Sequence, residues 1–205
     1  MTQEQLQIEH DDIQHKLQAH IDNKQKELIC KIKVTMDSKY ADEIAAVMND
    51  AYKDDWTGPQ SFKTCDRTNK EDIINMMRSQ PNNGAFVLLM DGHERIQSLF
   101  FVDFNNVNSQ RVMGLHMLSV PKKLQGRGLG SLLMTLSDIT AETCSCSSIE
   151  LTVISQANLI KDMYSRKGFV EYGTKPWPES YISHIQDEKR SEIYFYMMRK
   201  TIKNS

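Results

Sequence analysis

No stretch of this 205-residue chain approaches 18 consecutive apolar residues, so nothing in it reads as a membrane-crossing helix. Its first residues are polar rather than an apolar leader, and the expected location is cytoplasmic, with no membrane partner. Charge of one sign is also lacking: 25 Lys and Arg stand against 27 Asp and Glu, a formal net charge of −2. Without a basic stripe or an aromatic platform, nucleic acid is not an expected partner. Cysteine is scarce, and Cys30, Cys65, Cys144 and Cys146 show no metal-ligand spacing. Cys144 and Cys146 read as a pair of reduced thiols. His10, His15 and His20 recur every five residues, which scatters them over different helical faces, so no metal is expected. Internal repeats and low-complexity tracts are missing too. What is left, 40% hydrophobic and 25% charged residues, suits one soluble domain with a sizeable core.

Glycine is sparse, nine in all, yet Gly126, Gly128 and Gly130 fall within five positions. They lie in Val120-Pro-Lys-Lys-Leu-Gln125-Gly-Arg127-Gly-Leu129-Gly-Ser131, after a strand ending at Val120. An amphipathic helix follows, with Leu129, Leu132, Leu133, Leu136 and Ile139 on one side. The first four N–H groups of a helix have no intrahelical partner, and the helix dipole adds about half a positive charge there. Such a start binds phosphate or pyrophosphate. A purely structural turn is the plain alternative, but three alternating glycines exceed what a turn requires. A P-loop needs Gly-Lys-Ser/Thr after a four-residue spacer, and no lysine occupies that place. A dinucleotide fingerprint needs glycine where Ser131 stands and an acidic residue about twenty positions on, where Glu150 lies mid-strand. That alternative, a nicotinamide-dependent oxidoreductase, predicts stabilisation by NAD(P).

Residues 1–27 form a polar extension with Leu6, Ile13, Leu17 and Ile21 at roughly helical spacing, continued by Leu28. It could be a helix docked on the domain or on a second subunit of a homodimer, or a solvated extension. Residues 28–205 read as a single α+β domain. Strands are expected at Cys30–Met36, Phe86–Met90, Ile96–Val102 and up to Val120, the last three as an antiparallel meander. An Asn-rich turn joins the second and third strands of that meander. Helices are expected from about Ser38 to Tyr52, over Lys70–Ser79, from Leu129 and over Ala157–Lys167, with an irregular loop at Asp54–Thr68. Three more strands are expected at Ile149–Ile154, Phe169–Tyr172 and Glu192–Arg199. The result is a mixed, mostly antiparallel central sheet flanked by helices, not a doubly wound one.

Gln125-x-x-Gly128-x-Gly130 after a strand resembles the acyl-CoA pyrophosphate loop of the GCN5-related N-acetyltransferases, the GNAT family. Asn158-Leu-Ile-Lys-Asp-Met-Tyr164-Ser-Arg-Lys-Gly168-Phe169 is similar to that family's late helix ending in Tyr-x-x-x-Gly-Phe. One helix and one strand separate the two blocks, as that fold requires, and the resemblance covers roughly Lys31 to Lys200. Met117-Leu-Ser-Val120 and Leu151-Thr-Val-Ile154 look most like branches with a small-molecule or unassigned acceptor.

The resemblance implies transfer of an acetyl group from acetyl-CoA to a primary amine, by direct attack in a ternary complex. The acceptor would be a small-molecule amine or a peptide amine. The loop Gln125, Gly126, Arg127, Gly128, Leu129, Gly130 and Ser131 would hold the pyrophosphate, with charge added by Lys122 and Lys123. Backbone groups of Leu118, Ser119 and Val120 would pair with the pantetheine amides, as a peptide joins an open sheet edge, and an amide here would stabilise the tetrahedral oxygen. Tyr164, four residues before Gly168, would protonate the departing thiolate, although Ile160, Met163 and Tyr164 could equally be one apolar helix face. Asn158 resembles the family's CoA-contacting Asn, displaced by one from the usual place at Ala157. Gly168 would be the left-handed residue ending the helix. No base stands out: the strand before the loop has Gly114 where the resemblance leads one to look for an acidic residue, and His116, Glu150 or water remain. Asp54, Asp55 and Trp56 could attract a cationic amine. A non-catalytic acyl-CoA-binding module is the alternative from another class.

Overall fold

The computed structural model describes residues 3–22, 29, 31–53, 66–80, 83–178 and 193–202. Cys30, Cys65, Leu28, Asp54, Asp55 and Trp56 lie outside the described residues, as does the side chain of Leu6.

Ala85 to Met90 is apolar at every position, which a strand can satisfy only when both its faces are covered. The strand β2 (Gly84–Met90) is indeed buried along its whole length. Val87 and Leu89 enter one core, with Phe100, Val102, Leu115, Leu133 and Leu136. Phe86, Leu88 and Met90 point the other way, into a second core with Ile44, Met48, Ile73, Met77 and Phe101. The helices α1 (Gln3–Asp22) and α4 (Leu129–Thr143) supply the first core, and α2 (Ala41–Tyr52) and α3 (Lys70–Ser79) the second. A reciprocal cap starts α3: Asn69 accepts from the Asp72 N–H at 3.0 Å, and Asp72 from the Asn69 N–H at 3.3 Å.

Seven strands form the sheet in the order β1-β2-β3-β4-β5-β7-β6. The others are β1 (Lys31–Thr35), β3 (Ile96–Val107), β4 (Gln110–Ser119), β5 (Ser148–Ile154), β6 (Val170–Pro176) and β7 (Tyr194–Thr201). Every neighbouring pair is antiparallel except β4 and β5. The fold is therefore the mixed, mostly antiparallel α+β sheet expected. One boundary differs usefully: β3 continues five residues past Val102, and Asn105 and Asn106 pair with β4. The turn falls at Asn108 and Ser109, both left-handed (φ 50° and 63°), as a tight two-residue hairpin demands.

The helix α1 packs into the chain's own core through Ile13, Leu17 and Ile21, each at most 1% exposed. The Gln14 and Gln18 side-chain oxygens accept from the N–H groups of Val34 and Ile32, covering the outer edge of β1. Glu9 binds Arg111 of β4 through both guanidinium nitrogens, and Arg111 also lies over the Phe104 ring.

Candidate active site

Parallel strands β4 and β5 pair only from Val112–Ser148 to Gly114–Glu150. Beyond that point no pairing joins them, and a cleft of about 540 Å³ opens beside them. A bulge drives the divergence. Phe101 faces His116 and Leu99 faces Ser119, so β4 carries one residue too many there. Met117 absorbs it with φ 54°, a conformation costly for a side-chain-bearing residue. The Tyr52 hydroxyl fixes the bulged strand by donating to the Leu118 carbonyl at 2.9 Å.

The structure brings Leu118, Asn158 and Tyr164 together in this lining. Tyr164 projects from α5 (Asn158–Arg166), packed edge-on against Phe169 with ring centres 5.6 Å apart. Gly168 follows in the left-handed region (φ 90°), and Phe169 N–H returns to the Tyr164 carbonyl, a closed helix end. Burial, with Tyr52 beside it, pushes the Tyr164 phenol far above its ordinary value, so it stays protonated at any working pH. Its hydroxyl has no hydrogen-bond partner among the described residues.

Other residues singled out from the sequence lie elsewhere. Ser119 is buried and its hydroxyl donates to the Met117 carbonyl, so only its backbone is free for a ligand; Ser119 and Val120 are not in the lining. The loop from Gln125 to Ser131 is also outside it, further along the same chain direction. Gly126 and Gly128 are left-handed (φ 74° and 82°), and Gly128 caps the fifteen-residue α4. Gln125 braces the turn by donating to the Val120 carbonyl at 3.1 Å. Gly130 has no such φ, and a Cβ there would meet nothing within 4 Å. Lys123, Gln125, Arg127 and Ser131 are exposed around this start.

The two base candidates part company. Glu150 accepts from Arg199 at 2.8 Å and from the Tyr172 hydroxyl at 2.9 Å, and does not line the cleft. His116 does line it, and its Nε2 sits 3.1 Å from Asp103 Oδ2. That contact is close in distance but off the line of a hydrogen bond, since Nε2 is buried without an aligned acceptor. Burial raises the Asp103 carboxyl, but the close His116 ring, a bond from the Gln80 side chain and the Gly114 N–H outweigh it and hold it below the usual range. Asp103, Tyr52 and Arg67, which lies 4.1 Å over the Tyr52 ring, were not anticipated. Asp103 was within reach: it follows Phe101 at the two-residue spacing of one strand face, had the strand not been ended at Val102. The bulge at Met117 leaves no mark in the sequence.

Among the described residues no group of His, Cys, Asp and Glu could hold a metal ion, and no helix is long and apolar enough to cross a membrane. Cys144 and Cys146 are buried free thiols; burial raises both, Cys146 to about 11, which disfavours the thiolate.

A sheet opened between two parallel strands, beside a glycine-capped helix start, is the architecture of an acyltransferase. Residues 57–190, well over half the chain, match the family described as Acetyltransferase (GNAT) domain, and the protein belongs to that family. No curated protein matches in sequence. Among solved structures, the chain is similar to a GNAT-family acetyltransferase from Streptococcus pneumoniae (20% identity, 84% of this chain, 100% of that one, TM-score 0.56). It is also similar to one from Staphylococcus aureus Mu50 (18%, 84%, 99%, TM-score 0.58). A third is a spermidine N-acetyltransferase chimera from Vibrio cholerae (12%, 84%, 96%, TM-score 0.59). At these identities the likeness is one of fold.

Proposed function

We propose that the protein transfers the acetyl group of acetyl-CoA to a primary amine by direct attack within a ternary complex. The observation that carries this is Gly130. The fold needs glycine at Gly126 and Gly128 for their left-handed backbone, but nothing among the described residues needs it at Gly130. A bare backbone at the second residue of a long helix, with open space before it, suits close approach of a diphosphate. Leu129, Gly130 and Ser131 would offer their N–H groups to it, and Arg127 and Lys123 their charge.

The stretch from Leu118 to Val120, which has no strand pairing on the β5 side, would take the pantetheine arm by backbone pairing. The Leu118 and Val120 carbonyls already accept from Tyr52 and Gln125, so the N–H groups and the second lone pairs are what remain for the ligand. Ala157 and Asn158 both border the cleft, which supports either as the side-chain contact on the opposite wall. Acetyl-CoA supplies a thioester whose carbonyl carbon an uncharged amine can attack. Tyr164, neutral and unbonded at the cleft, would donate its proton to the departing sulfur.

Titration calorimetry with CoA, followed by thiol release from acetyl-CoA against amines, amino acids, polyamines and peptides, tests the reading. Binding with turnover on an amine is expected. Binding with no turnover on any acceptor would give instead the non-catalytic acyl-CoA module, and heat with NAD(P) but not CoA would give the oxidoreductase.

A further inference from the structure

On the sheet face covered by α2 and α3, Asp103 of β3 lies opposite Gly114 of β4, and Phe101 lies opposite His116. A Cβ on Gly114 would fall 2.1 Å from Asp103 Oδ1 and 2.6 Å from His116 Nε2, so a side chain there would push the two groups out of their present places. Nor does Gly114 have a left-handed φ that would otherwise favour glycine. Its purpose is room. A carboxylate from one strand and an imidazole from the next meet above its bare backbone, at the border of the cleft. The carboxylate that the strand before the glycine loop lacks at position 114 thus arrives from across the ladder.

Resting on the acetyl-transfer reading, we propose that His116 takes the proton from the acceptor's ammonium group. Asp103 is the positioning residue that faces the imidazole at 3.1 Å and balances its charge, and the acceptor is a primary amine borne on an apolar group. Asp103 is the one carboxylate in the cleft lining among the described residues. Its depressed titration keeps it charged at neutral pH, so it attracts a cation and stabilises imidazolium. With Nε2 turned to Asp103, Nδ1 is the ring nitrogen left to accept a proton; it has no partner among the described residues. The step balances simply. One N–H bond of the ammonium breaks, its electron pair stays on nitrogen as the attacking lone pair, and the proton rests on Nδ1 until solvent removes it. Among the described residues the lining brings no further acid: Met76, Phe101 and Met117 present apolar surface beside the Gln80 amide and the Arg67 guanidinium. A polyamine would leave its second cation against these groups, whereas an alkyl or aryl group would bury there.

The test measures acetylation of 2-phenylethylamine and of its weakly basic β,β-difluoro analogue, which is largely uncharged at the assay pH. Wild type is expected to prefer 2-phenylethylamine over spermidine and over amino acids. Asp103→Asn and His116→Ala should each lower kcat/KM for 2-phenylethylamine about a hundredfold and for the difluoro analogue less than tenfold, with CoA affinity unchanged. Equal losses on both amines, with the fold intact by circular dichroism, would reduce the pair to scaffolding and overturn the inference. So would unchanged activity, or a wild-type preference for spermidine. A wild type that binds no CoA, or acetylates nothing, overturns the acetyl-transfer reading itself, a result readily told apart from the others.

Discussion

Two residues separate what the fold needs from what the ligand needs. Gly130→Ala places a methyl group in open space within a helix, where alanine is favoured over glycine by about 0.5–1 kcal/mol. The variant should therefore melt at a higher temperature while binding CoA about tenfold or more weakly by calorimetry. A stabilised variant with undiminished affinity would take the diphosphate away from this helix start. Tyr164→Phe removes a hydroxyl with no protein partner among the described residues, so stability should hardly move. Turnover should fall about a hundredfold if that proton reaches the thiolate, with CoA affinity preserved. Single-turnover thiol release and calorimetry on the same sample read both quantities. The reciprocal arrangement around Gly114 could not be read from the chain, because a glycine's neighbours across a strand are set by register alone.

Among the elements, α1 shows how a thin apolar stripe can still be a firm attachment. Ile13, Leu17 and Ile21 give one full side chain per helical turn, and from Ile13 onward every other residue of the helix except Ala19 is polar. The helix holds because those three are fully buried, two glutamines satisfy an edge strand, and Glu9 grips Arg111. Leu17→Ala should lose about 2–5 kcal/mol in denaturant unfolding, the range for a buried leucine. Glu9→Ala leaves a half-buried guanidinium short of its partner and should cost about 1–3 kcal/mol. A loss near zero for both would mean that α1 does not stay on the sheet in solution. The sequence offered helical spacing here but not the destination, since three apolar residues do not say which surface they meet. Elements with stronger patterns were legible: alternation gave β1, the doubly buried run gave β2, and the glycine-capped leucine face gave α4. The parallel pairing of β4 with β5 and the early end of that pairing depend on residues far apart in sequence, and the cleft comes from them.

At the scale of the whole molecule, acid sensitivity should have two separate windows. His10 on α1 is 6% exposed beneath the sheet edge, bonded to the Gly84 backbone and flanked by Glu9 and Asp11, with Nε2 lacking a partner. Burial lowers its titration below 6.5, and the attraction of Glu9 and Asp11 only partly offsets that. The folded state thus prefers neutral imidazole, and the unfolded chain binds more protons once the pH drops below about 6.5. This contribution is complete above that pH and is lost as the pH falls through the lowered folded-state value. Asp37, Asp91, Glu94 and Asp103 are likewise held below their ordinary values, so they add stability at neutral pH that disappears only near and below 4. Denaturant midpoints followed from pH 7.5 to 5 should decline before any carboxylate titrates. His10→Gln should flatten that first decline and leave the second, below pH 4, in place. If the wild-type midpoint stays level down to pH 5, the neutral buried imidazole is not what couples α1 to the sheet.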